Sequence, residues 1–255
     1  MPGHASWLTF LLAGMKDNLS RNSALIGNSI IDGRPPTWMS FEPIVAALFV
    51  AAVVLILAIV ARQRLTRVDD MVIPDDRLTL RTFMEIFLGY FYDLAKSMMG
   101  ADRAKKYFPV IGASAIFVFF SNMMALLQGM PVATSNLNIT LGCALVVFIL
   151  FNAYGLKVNG WGYIKHLAGP AWYLAWLVLP IELISLCVRP ITLSVRLMLN
   201  MSVDHLILGI FVSLLALVIP VPLMVLGCLI VLIQTLVFTL LTTIYISLAT
   251  EHEHH

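Results

Sequence analysis

Residues 181–219 read IELISLCVRPITLSVRLMLNMSVDHLILGIFVSLLALVI. The run is almost wholly apolar, yet it carries Glu182, Arg189, Arg196, Asp204 and His205. As one helix it extends roughly 58 Å at 1.5 Å per residue, nearly twice a ~30 Å hydrocarbon core. Pro220 and Pro222 follow, and residues 223–249 resume as a second apolar run of roughly 40 Å. Two helices too long to stand upright in a bilayer predict a steeply tilted hairpin, with Pro190 as a place for a bend. Splitting the first arm at Pro190 into two shorter spans is the alternative.

Working outward, the whole chain fits the same solvent. Of its 255 residues 60% are hydrophobic and 12% charged, against about 25% charged in a soluble domain. So much apolar surface calls for lipid. The net charge of +2 is too small to argue for nucleic acid. Cys143, Cys187 and Cys228 lie in apolar stretches without a C-x-x-C, which disfavours disulfides and structural zinc.

Residues 1–40 form an extramembrane or interfacial segment without the pattern of a cleavable signal peptide. Residues 41–255 form one membrane domain. Its first span, 43–61, is followed by Arg62, Arg64 and Arg67, which places that side in the cytoplasm and the N-terminus outside. Residues 78–99 hold Glu85, Asp93 and Lys96 among apolar side chains. A membrane helix with one face against protein and an interfacial helix both fit. Arg103, Lys105 and Lys106 mark another cytoplasmic boundary before spans 108–127 and 138–156, and Lys157 and Lys165 return to that side. With the hairpin arms 172–219 and 223–249, the expected fold is all-α, polytopic, with about five to six membrane helices and a cytoplasmic C-terminus.

A charged side chain at a membrane-helix centre costs roughly 2.5–3.5 kcal/mol on insertion scales, so the charges of the first arm call for function or protein partners. At about 100° per residue, Arg189 lies about 20° and Glu182 about 40° from Arg196, with Asn200 within about 40° on the other side. These residues form a polar stripe. Gln234 and Tyr245, eleven apart, share a face of the last helix. Glu182 and Arg189 also fit a purely structural ion pair, and Gln234 and Tyr245 fit interhelical hydrogen-bond glue. Arg196 fits these readings less well, since its nearest carboxylate along the arm, Asp204, is two turns away. An arginine stays protonated and passes no proton itself. It lowers the pKa of an approaching carboxylate by roughly 1–3 units and repels hydronium. With a carboxylate on a moving partner, that makes a rotary proton valve.

The runs Pro180-Ile181-Glu182-Leu183-Ile184-Ser185, Arg189-Pro190-Ile191-Thr192-Leu193-Ser194-Val195-Arg196-Leu197 and Asn200-Met201 resemble the signature of the a subunit of F-type ATP synthases. Thr134-Ser135-Asn136-Leu137-Asn138-Ile139-Thr140, His166-Leu167-Ala168-Gly169-Pro170 and the segment from Gln234 through Tyr245 to His252 follow in the family's order. The resemblance runs from Leu78 to the C-terminus. It implies a non-catalytic stator subunit, and the lack of a transit-peptide pattern favours a bacterial plasma membrane over a mitochondrial or plastid one. Its partners would be the c-ring, the b subunits of the peripheral stalk, other ATP synthase subunits and membrane lipid, with no nucleotide, metal or cofactor bound. It implies that Arg196 faces the c-ring carboxylates. An outer half-channel would involve Asn122, Asn138, Asn200, Asp204, His205 and Gln234; an inner one would involve Glu182, Ser185, Arg189 and Tyr245. Many members pair a titratable group at the His205 position with one on the final helix, where this chain has Gly227. Asp204, where a small residue is usual, is expected to replace it.

A sodium-translocating version is the alternative within the family. An unrelated secondary transporter is disfavoured by the lack of repeat symmetry. An intramembrane enzyme is disfavoured by the lack of H-E-x-x-H, G-x-S-x-G or phosphate-loop patterns. The tail Glu251-His252-Glu253-His254-His255 is read as a solvated end.

Overall fold

The computed structural model describes residues 42–65, 80–126, 136–160, 175–214 and 220–250, together with Gly14 and Thr134. They form six helices: α1 Glu42–Leu65, α2 Leu80–Met99, α3 Ala101–Ala125, α4 Leu137–Asn159, α5 Ala175–Leu214 and α6 Pro220–Ala249. All but α2 are long and apolar enough to cross a bilayer. Their outward faces are those of lipid-solvated helices: Leu48 is 65% and Ile149 62% exposed. The expected segment 1–40 apart from Gly14, the end of the first arm at 215–219 and the tail 251–255 lie outside the described residues.

The boundaries move where propensity outweighs charge. The span expected from residue 108 begins at Ala101, so Arg103, Lys105 and Lys106 ride on its first turns instead of preceding it. Pro220 and Pro222 occupy the first turn of α6, where a missing N–H removes no hydrogen bond. The alternative split at Pro190 is not adopted, because α5 runs through Pro180 and Pro190 as one 40-residue helix. At 1.5 Å per residue α5 measures about 60 Å, so it must tilt to stay within a ~30 Å hydrocarbon layer.

α2 sets one face against protein, as its first expected reading requires, although it is not among the helices apolar enough to cross a bilayer. It folds back on α3 through Gly100 (φ 82°) and lies antiparallel along it. Tyr92 meets Phe108 at 5.1 Å between ring centroids and Phe87 meets Phe119 at 4.9 Å. Met84, Phe91, Ala95 and Met99 are buried on the protein side, while Glu85, Asp93 and Lys96 stay exposed. At Gly100 ψ is 163°, a region essentially confined to glycine that costs other residues about 1–3 kcal/mol. An added Cβ would meet nothing within 4 Å, so Gly100→Ala is expected to cost that backbone penalty alone. It should lower the thermal midpoint of the purified protein without changing its helix content by circular dichroism.

α4 packs against α5 and α6, and α3 packs against α6 as well. Small residues at the contacts, Ala95, Ala104, Ala115 and Ala144, let the helices approach closely around Ile111, Phe151, Leu193, Leu197, Phe238 and Ile246. α6 also buries Thr235, Thr239, Thr242 and Thr243. Each hydroxyl donates to the carbonyl four residues earlier at 2.8–2.9 Å, which satisfies the buried polar atom locally. Tyr107 and Tyr154 meet at a tilt, 4.8 Å between ring centroids, and Asn159 Nδ2 donates to the Ala249 carbonyl at 3.3 Å. The start of α3 and the ends of α4 and α6 therefore share one end of the bundle, which gathers Lys105, Lys106 and Lys157.

Candidate functional site

The two faces of α5 differ sharply. Leu186, Leu193, Ser194, Leu197 and Met201 are buried against the bundle. The opposite stripe, Ile184, Val188, Thr192, Arg196, Leu199, Val203 and Leu206, recurs at steps of three and four and is exposed. Arg196 is the one full charge in that stripe, and among the described residues no carboxylate pairs with it. A cation set in an apolar face is costly against lipid alone. Its surroundings fit a surface that supplies an acid.

The polar stripe expected from helical arithmetic divides in two. Arg189 and Asn200 turn toward α6 while Arg196 turns away. Asn200 Nδ2 donates to Gln234 Oε1 at 2.6 Å. The Arg189 guanidinium lies 5.1 Å from the centroid of the Tyr245 ring and 3.9 Å, Nη2 to Oε1, from Glu182. The structure thus brings together Glu182, Arg189 and Tyr245 near one end of the hairpin and Asn200 with Gln234 farther along. Ser185 stands on the exposed face of α5, apart from the Arg189 contacts. The ion pair read from heptad spacing is present. The ring contact of Arg189 was missed, because nothing in the sequence of one helix reports which aromatic ring of another it meets.

Asp204, half-buried, lines a cavity of about 110 Å³ between α3, α5 and α6. The rest of the described lining is Leu126, Met201, Ile207, Leu208, Leu223, Met224, Leu226, Gly227, Ile230 and Val231, so among the described residues Asp204 is its single ionisable group. Asp204 and Gly227, related in the sequence only by expectation, face the same space. A Cβ on Gly227 would come within 2.7 Å of Leu126 Cδ2, so Leu126 occupies the room a side chain there would use. Next to this region Asn122 is fully buried with neither amide atom hydrogen-bonded, and Gln234 Nε2 and Ser121 Oγ are likewise unpartnered. Buried polar atoms of this kind ordinarily hold water. Asn138 is exposed at the first turn of α4, where its backbone N–H donates to the capping Asn136 Oδ1 at 3.0 Å. His205 is on α5, but its side chain lies outside the described residues. Among the described residues no group of three His, Cys, Asp or Glu side chains could hold a metal.

Comparison with known proteins converges on one family. A family model described as ATP synthase A chain matches residues 44–247. The chain is 54% identical to ATP synthase subunit a of Sorangium cellulosum over 255 residues, covering 100% of both proteins. It is 40% identical over 175 residues to ATP synthase subunit a of Geobacter sulfurreducens, covering 69% of this chain and 76% of that protein. With that of Bdellovibrio bacteriovorus the identity is 34% over 212 residues, covering 82% and 92%.

Proposed function

Since the chain belongs to the ATP synthase A chain family, we propose that it forms the stationary side of the proton path in the membrane sector. Arg196 meets the carboxylate of each passing subunit of a c-ring. A protonated carboxylate leaves lipid, loses its proton in the field of the guanidinium, and regains one before it re-enters lipid. Asn122, Asn138, Asn200, Asp204, His205 and Gln234 line the outer access route; Glu182, Ser185, Arg189 and Tyr245 line the inner one. A proton driven across 100 mV contributes about 2.3 kcal/mol, which biases rotation. Nucleotide chemistry belongs to other subunits. The b subunits hold this chain still against the ring.

The observation that carries this reading is Arg196, without a carboxylate partner among the described residues, in an exposed apolar stripe. The buried Asn122 amide, with no hydrogen bond, and the unpartnered Nε2 of Gln234 support an aqueous outer route together with the Asp204 cavity. The basic end of the bundle is taken as the cytoplasmic side of a bacterial inner membrane by the positive-inside rule. Sodium in place of protons would use the same stator residues, the ion being chosen by the ring.

The test is reconstitution. The purified chain alone in proteoliposomes is expected to pass no protons under an imposed potential, and the same chain assembled with a c-ring is expected to pass them. Flux through the isolated chain would favour an independent transporter. Flux that follows sodium rather than pH would select the sodium version.

A further inference from the structure

Two polar side-chain ties join α5 to α6, and they bracket Arg196. Arg189 to Tyr245 lies seven residues before it, and Asn200 to Gln234 four residues after it. Both ties share one register, since the eleven residues from Arg189 to Asn200 match the eleven from Tyr245 back to Gln234. Between them the buried face of α5 seats Leu193 and Leu197 in the core with Phe238, while Arg196 projects the other way. Arg189 is further steadied by Glu182 on its own helix, 3.9 Å away.

We propose that Arg189 is a positioning residue, whose guanidinium clamps the tilted arm to the face of the Tyr245 ring and so sets the height at which Arg196 meets the rotor. The proposal rests on the role given to Arg196 above and changes what its neighbours do. A guanidinium holds its proton at any working pH, so Arg189 relays none. A cation over an aromatic ring is held by the ring's electron-rich face, so the tie needs the ring of Tyr245 and not its hydroxyl. The clamp matters because the guanidinium must be placed to within about 1 Å, and misplacements of that size cost on the order of a hundredfold in positioned chemistry.

The hydroxyl decides the test, which uses the assembled ATP synthase in inverted vesicles. Tyr245→Phe keeps the ring under the Arg189 guanidinium and is expected to retain most of the pumping that Tyr245→Leu loses. Tyr245→Leu removes the ring and is expected to lower pumping about tenfold while ATP hydrolysis continues. Arg189→Gln is expected to match it, and the double variant to be no worse than either single, because both remove one contact. Arg189→Lys, which keeps a cation for the ring, is expected to recover most of the activity lost in Arg189→Gln. A large loss or a shifted pH profile in Tyr245→Phe would overturn the clamp and assign the hydroxyl to the proton path. That result needs no bulky change, so a failure of Tyr245→Leu to assemble leaves the test intact. Arg196→Ala, run alongside, separates the two ideas. Normal pumping there would defeat the role of Arg196 itself, whereas loss there with failure of the Tyr245→Phe prediction would defeat only the clamp.

Discussion

Arg196→Ala in the assembled complex is expected to reduce ATP-driven proton pumping by at least a hundredfold while leaving the chain folded and assembled. The fold should survive because the guanidinium pairs with no carboxylate among the described residues and sits on the exposed side of α5. Its loss leaves no unpaired acid in the bundle and opens no cavity in the core formed by Leu193, Leu197 and Phe238. Function should fail because a close opposite charge lowers a carboxylate pKa by roughly 1–3 units, and each unit is about 1.4 kcal/mol. Without that field the rotor acid keeps its proton as it passes, and the two access routes exchange nothing. Arg196→Lys should fall between. It restores a charge, but as a compact and more strongly hydrated ammonium that loses its proton more readily when desolvated. Quenching of a pH-sensitive dye in inverted vesicles, normalised to ATP hydrolysis, measures the effect. Pumping near the parent level in Arg196→Ala would remove the central cation from the mechanism.

Asp204→Asn is expected to lower passive proton conduction through the membrane sector by about tenfold or more. The substitution keeps shape and removes charge. Among the described residues it acts on the single ionisable group lining a cavity otherwise walled by aliphatic side chains, Met201, Met224 and Gly227. The same geometry offers a rescue. A carboxylate placed on Gly227 would enter the same cavity from the α6 side, provided Leu126 makes way, since its Cδ2 would otherwise lie 2.7 Å from the new Cβ. Gly227→Glu combined with Leu126→Ala is therefore expected to restore part of the flux lost in Asp204→Asn. Unchanged conduction in Asp204→Asn, measured as proton uptake into membranes stripped of their ATPase head, would show that the carboxylate is not on the path.

Much of the fold could be read from the chain because membrane helices write themselves in long apolar runs. The five candidate spans each correspond to one expected apolar run, and the hairpin's excess length follows from counting residues. The starts of α3 and α6 were harder to place. Charges and prolines look like boundaries in sequence, but Lys105 and Lys106 lie within the first turns of α3 and Pro220 suits the opening of α6. Pro190 looked capable of dividing α5. Flanking helix and close packing of Leu186 and Leu193 carry the helix through it.

The site was legible one helix at a time. Glu182 and Arg189 meet as their spacing on a single helix predicts. What helical arithmetic could not give was the relation between helices. Arg189 and Arg196 are about 20° apart on an ideal wheel, yet one contacts Tyr245 and the other faces outward. That division comes from how Leu193 and Leu197 seat α5 against its neighbours. The shared cavity of Asp204 and Gly227 depends on Leu126, almost eighty residues earlier in the chain than Asp204, which no local pattern reports.

A rotary motor driven by an ion gradient fails if current leaks past the rotor, and the threonines of α6 bear on that. Hopping conduction needs hydroxyls that can hand a proton onward. Those of Thr235, Thr239, Thr242 and Thr243 are each committed to their own backbone. On the proposed function, the buried side of that helix would therefore separate the region of Asn122 from that of Tyr245 as an insulator does, and would leave a turning ring as the conducting route between them.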